Sequence, residues 1–126
     1  MNREITHKYF GTRLGEWLDL FPNSIAQDAV GLWQIIPVGR DSFGLHGNDL
    51  IFFAREVVVR LLRKGGVPVI AAADKNFCWE RKNYGSSEAE IVDGIIEEWL
   101  LAGVDPDVEG VWFALPKMIP GKRSNS

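Results

Sequence analysis

Apolar residues along the chain follow two rhythms, one helical and one of short runs bounded by glycine, proline and asparagine. Together they predict helices at 6–21, 48–64 and 87–103 and strands at 32–38, 67–73, 77–82 and 111–115. Phe10, Leu14, Trp17, Leu18 and Phe21 fall at i, i+4, i+7, i+8 and i+11, a stripe that Pro22 and Asn23 should end. Gly11 and Gly15 each lower helix propensity by about 1 kcal/mol relative to alanine, so this helix is expected to fray or to start near Thr12. In the second helix Leu50, Ile51, Ala54, Val57, Val58, Leu61 and Leu62 share one broad face. Asp49, Glu56, Arg60 and Arg63 form a narrow polar stripe flanked by Phe52, Phe53 and Val59. A helix apolar on three sides belongs at the centre of the fold, with Asn48 or Asp49 as its cap and Gly65-Gly66 at its end.

The third helix has the spacing of a capping box, Ser87 followed by Glu90, and Val92, Ile95, Ile96 and Trp99 as its buried stripe. Gly103 suits the left-handed residue after its last turn, Val104 the accompanying apolar contact, and Pro106 follows soon after. Leu32–Val38 is a branched apolar run ended by Pro37 and Gly39 and is expected to be a strand. Val67–Ala73 and Phe77–Lys82 are two more, joined through Asp74, Lys75 and Asn76 as a hairpin, with Pro68 tolerable only near a strand start or on an edge. The order α-β-α-β-β-α-β indicates an α+β fold, a single-layer, mainly antiparallel sheet of about four strands packed with three helices. One domain over 1–119 and a flexible tail over 120–126 account for the chain, in which no repeat or low-complexity segment is visible.

Composition refines this picture without redirecting it. With 126 residues, 46% of them hydrophobic and 25% charged, the chain can bury a core with no disulfide or metal to staple it. Cys78 is the single cysteine, and the start, MNREITHKYFGTRLGE, has none of the apolar run of a secretory signal. The expectation is a cytoplasmic protein, with no membrane span.

Charge is where the sequence departs from the ordinary. Positions 86–109 hold Glu88, Glu90, Asp93, Glu97, Glu98, Asp105, Asp107 and Glu109 and no Lys or Arg. That segment carries −8 of a net charge of −3 and leaves +5 for the rest. Carboxylates on a helix are usually interleaved with cations at i+4, and here Glu90, Asp93 and Glu97 share an outward face with Leu101. A partner with a basic surface would relieve that repulsion and cover the leucine. Nucleic acid is excluded as a partner by the acidic balance and by basic groups, Arg60-Arg63-Lys64 and Arg81-Lys82, that lack an aromatic-interleaved motif.

Catalytic chemistry has few candidates. In the glycine-rich stretch Gly39–Gly47, His46 lies three residues before Asp49, and with Arg40 and Asp41 these could frame a small ligand or enzyme site. Two potential ligands without a third make no metal centre. The stretch lacks the ending of a P-loop, so turn-making is the simpler account of its glycines. His7 and Cys78 are isolated, and a lone strand cysteine is ordinarily a small buried hydrophobe. No cofactor or metal is implied.

A small acidic α+β domain with a concentrated acidic face and no catalytic set resembles the bacterial immunity proteins that block a cognate toxin, many of them directed at basic nucleases. The resemblance lies in size, charge layout and the missing active site. It implies occlusion of a toxin's basic cleft by carboxylates standing in for phosphates, with Glu90, Asp93, Glu97, Glu98, Leu101, Asp105 and Asp107 as the contact surface suggested by the charge pattern. The competing expectation is a small enzyme or ligand-binding domain at Arg40, Asp41, His46 and Asp49. A homodimer through Phe52 or Phe53 and a strand edge is compatible with either.

Overall fold

A computed structural model describes residues 1–72 and 79–119. The hairpin connection expected at 74–76, Cys78 and the tail expected from 120 onward lie outside them. In chain order the elements are α1 (Leu14–Leu20), β1 (Val30–Gly31), α2 (Leu32–Pro37), α3 (Gly47–Arg63), β2 (Val67–Ala71), β3 (Trp79–Arg81), α4 (Glu88–Ala102) and β4 (Trp112–Ala114). Short 3-10 helices at Phe21–Ala26 and Pro116–Met118 and a π-turn at Val38–Ser42 connect them.

The four strands form one antiparallel sheet in the order β1-β4-β2-β3, an α+β arrangement of the kind the hydrophobic pattern indicates. Val30, Val111 and Phe113 point to the helical side and join a core built around α3, whose Leu50, Phe53, Ala54, Val57, Val58 and Leu61 are all buried. Phe53 and Phe113 are fully enclosed, and each such side chain contributes about 1.5–3 kcal/mol by leaving water. On the opposite face Val69 and Ala114 are buried beneath Trp79, Trp112 and Met118. Pro68 sits at the second position of β2, opposite Phe113, and its carbonyl still accepts from Lys82 N–H at 2.9 Å.

Three expectations need correcting. The first helix does not reach back to residue 6. His7 Nδ1 accepts from the amides of Tyr9 (3.1 Å) and Phe10 (3.3 Å), and Thr6 pairs with Arg13 as an isolated bridge, so the amides that would begin a helix are already taken. Phe10 is left 79% exposed, outside the stripe to which its spacing assigned it. Beyond Leu20 the chain does not break at Pro22 but tightens into the 3-10 helix.

Leu32–Val38 is a helix, not a strand. Leu32, Ile35 and Ile36 are buried at helical spacing, and Gln34 Oε1 accepts from Gly31 N–H at 2.7 Å to close the first turn. A short apolar run reads equally well in either period, and the side-chain cap decides between them. Four α-helices therefore occur among the described residues, where the pattern indicated three.

The third correction concerns the start of α3, where the N-cap is His46, with no side-chain bond, and Asn48 and Asp49 lie inside the first turn. The glycine-rich stretch before it serves packing. A Cβ on Gly39 would stand 2.6 Å from Phe53 and 2.8 Å from Leu50, so only glycine lets the π-turn lie on α3.

Candidate functional site

Helix α4 has the capping geometry its sequence specifies. Ser87 Oγ accepts from Glu90 N–H at 3.1 Å, and Glu90 Oε1 accepts from Ser86 N–H (2.9 Å) and Ser87 N–H (3.1 Å). Those backbone donors hold the Glu90 carboxyl below its ordinary pKa. Val92, Ile95, Ile96 and Trp99 are buried, and the helix ends at Gly103 in the left-handed region, φ 73°. Val104, which follows it, is 70% exposed.

The acidic face is less bare than the sequence suggests, because its counterions come from other elements. Arg63 of α3 donates from Nε and Nη2 to Glu88 at 2.9 and 3.0 Å, holding that carboxyl low. Arg55 of α3 donates to Asp93 at 2.6 Å. Lys82 pairs with Glu98, which also accepts from Tyr84 Oη at 2.6 Å. Burial pushes the Glu98 carboxyl up, but these two hydrogen bonds outweigh it and leave the pKa lowered, while burial and then Glu98 raise that of Tyr84. Gly94 permits the arrangement, since a Cβ there would lie 3.0 Å from the Tyr84 ring. Arg40, in the π-turn, pairs with Asp105, whose other oxygen accepts from Trp99 Nε1 at 3.4 Å.

Exposed ion pairs contribute little stability. Their consequence here is a partition of the acidic residues. Glu88, Asp93, Glu98 and Asp105 answer cations within the chain, and Glu90 caps the helix. Glu97, Asp107 and Glu109 enter no ion pair among the described residues, although Asp107 Oδ1 accepts from Glu109 N–H at 2.9 Å. The same stretch, the C-terminal end of α4 and the loop after it, also exposes apolar side chains. Leu101 is 79% exposed, Val104 70%, Val108 53% and Leu100 50%. Leu101 stands out on the helical wheel; the other three, and Glu109, are not among the contact residues the charge pattern suggests.

Between α4 and the 103–110 loop runs a groove of about 250 Å³, floored by Leu32, Ile95, Trp99 and Val111 and edged by Glu98, Asp105, Asp107 and Glu109. No basic residue occupies the last turn of α4, so the negative end of the helix faces this corner uncompensated by its own side chains.

The other candidate cluster is dispersed in its partners. Arg40 answers Asp105, Asp49 lies 3.8 Å from the N-terminal ammonium, and Asp41 and His46 are exposed. The loop amides of Phe43 and Leu45 donate to Val38 and Gly39 carbonyls rather than pointing at a ligand. Among the described residues no three His, Cys, Asp or Glu are placed to hold a metal ion, and no helix is long and apolar enough to cross a membrane. His7 is buried as a turn-former. Phe53 is fully buried and leaves only Phe52, 59% exposed, of the aromatic pair considered for a dimer contact. No family model, curated protein or solved structure matches the chain.

Proposed function

We propose that this chain is a non-enzymatic protein-binding module that neutralises a basic partner, as the immunity proteins it resembles do, through the C-terminal end of α4 and the loop that follows. The observation that carries this reading is that four apolar side chains, Leu100, Leu101, Val104 and Val108, are exposed on the C-terminal end of α4 and the loop after it, the stretch in which Glu97, Asp107 and Glu109 enter no ion pair among the described residues. Exposed apolar surface gains by being covered. Carboxylates in the same stretch favour a cationic partner and speed its approach. The carboxylates nearer the start of α4 serve the fold, so the contact surface proposed is narrower than the whole acidic segment.

The test is co-expression with each protein encoded beside this chain. One neighbour is expected to be toxic alone, harmless with the wild-type chain, and toxic again with the Glu97→Lys/Leu101→Asp variant. The absence of a neutralised neighbour, or full protection by that variant, overturns the reading.

A further inference from the structure

We propose that the groove at the end of α4 receives one arginine side chain of the partner, its stem on the apolar floor and its guanidinium at the carboxylate edge. This rests on the binding reading above and names the chemistry that reading leaves open. The groove's volume of about 250 Å³ leaves room for one long side chain. Its floor, Leu32, Ile95, Trp99 and Val111, suits methylenes. The opposite end of such a side chain must be positive. Of the four edge carboxylates, Glu98 and Asp105 already answer Lys82 and Arg40, while Asp107 and Glu109 enter no ion pair among the described residues. The last turn of α4 adds its negative end, with no basic side chain of its own to offset it.

Arginine fits these features better than lysine. Its planar fork reaches two carboxylates at once, is more weakly hydrated than an ammonium, and lies flat on an aromatic ring such as Trp99. Val104, exposed and on the groove's lining, would then help exclude water from the rim of the contact.

The experiment titrates N-acetyl-arginine methylamide, and its neutral isostere N-acetyl-citrulline methylamide, into the ¹⁵N-labelled full chain. The readouts are the Trp99 indole N–H and the Gly110 and Val111 amides. Expected are saturable shifts of these signals with the arginine probe, and about fivefold weaker binding for citrulline, the scale of one exposed ion pair. Asp107→Asn/Glu109→Gln should weaken the arginine probe by a similar factor while the remaining spectrum is kept, which separates lost binding from lost fold. Equal response to the two probes, or shifts away from the groove, overturns the proposal. The two readings fail separately. A neighbour neutralised equally well by Asp107→Asn/Glu109→Gln overturns the arginine receptor alone; specific arginine binding without any neutralised neighbour overturns the immunity reading alone.

Discussion

The partition of the acidic face into folding and binding residues makes Ser87→Ala an informative substitution. Ser87 Oγ holds the Glu90 amide at 3.1 Å, and Glu90 returns the bond to Ser87 N–H at 3.1 Å. Loss of such a cap costs about 1 kcal/mol. With an unfolding entropy of about 2.1 cal/mol/K per residue, the 126-residue chain has about 265 cal/mol/K at its midpoint, so the melting temperature should fall by about 4 °C. Glu90→Ala should lower it as well, since two backbone donors lose their acceptor. Glu97→Ala, on the same face but outside the cap and outside any ion pair of the described residues, should stay within about 2 °C of wild type. Calorimetry or thermal circular dichroism reads all three. Equal loss from Glu97→Ala and Ser87→Ala would refute the partition, because Glu97 would then have a folding role.

Three further outcomes follow from the packing and the ion pairs. Gly39→Ala brings a Cβ to 2.6 Å from Phe53 and should cost about 1–3 kcal/mol by overpacking, read as a lower urea midpoint with unchanged slope. Glu56 is raised by burial but lowered more by hydrogen bonds and attraction from Arg3 and Arg60, and Glu98 is likewise lowered on balance by Lys82 and Tyr84. Both carboxyls thus have folded pKa values below the ordinary 4.5, so their contribution is present above that pH and lost as pH falls through the folded values. Urea unfolding at pH 7, 5 and 3 should show the decline mainly in the last interval, and Glu56→Gln should reduce it. Leu101→Asp should leave stability unchanged within about 0.5 kcal/mol, since the side chain is 79% exposed, yet abolish neutralisation of the partner.

What was legible in the sequence divides along physical lines. Periodicity and caps act locally, so α3, α4, the box of Ser87 with Glu90 and the end at Gly103 could be read directly. The hairpin partners β2 and β3 were readable for the same reason. Leu32–Val38 was not, because a six-residue apolar helix offers too few turns to separate its period from that of a strand. The segment 7–12 misled because Phe10 has helical spacing while the local amides are taken by His7 and by Thr12 O, a competition that spacing does not record. At the candidate site, the acidic content of α4 was plain. Its counterions were hidden, since Arg55 and Arg63 lie 38 and 25 residues before the carboxylates they meet, and Arg40 lies 65 before Asp105. Helical i+4 reasoning therefore found a row without compensation where the folded chain leaves, among the described residues, a smaller set, Glu97, Asp107 and Glu109.

The most direct measurement is the association rate constant with the neutralised partner as a function of ionic strength, for wild type, for Glu97→Lys/Asp107→Lys, and for Asp93→Lys/Arg55→Glu, which swaps an internal pair without changing net charge. Expected is a rate for the first variant at least about tenfold below wild type at low salt, with a flattened salt dependence, and a rate close to wild type for the swapped pair. Wild-type rates and salt dependence in Glu97→Lys/Asp107→Lys would contradict the placement of the binding surface at the end of α4.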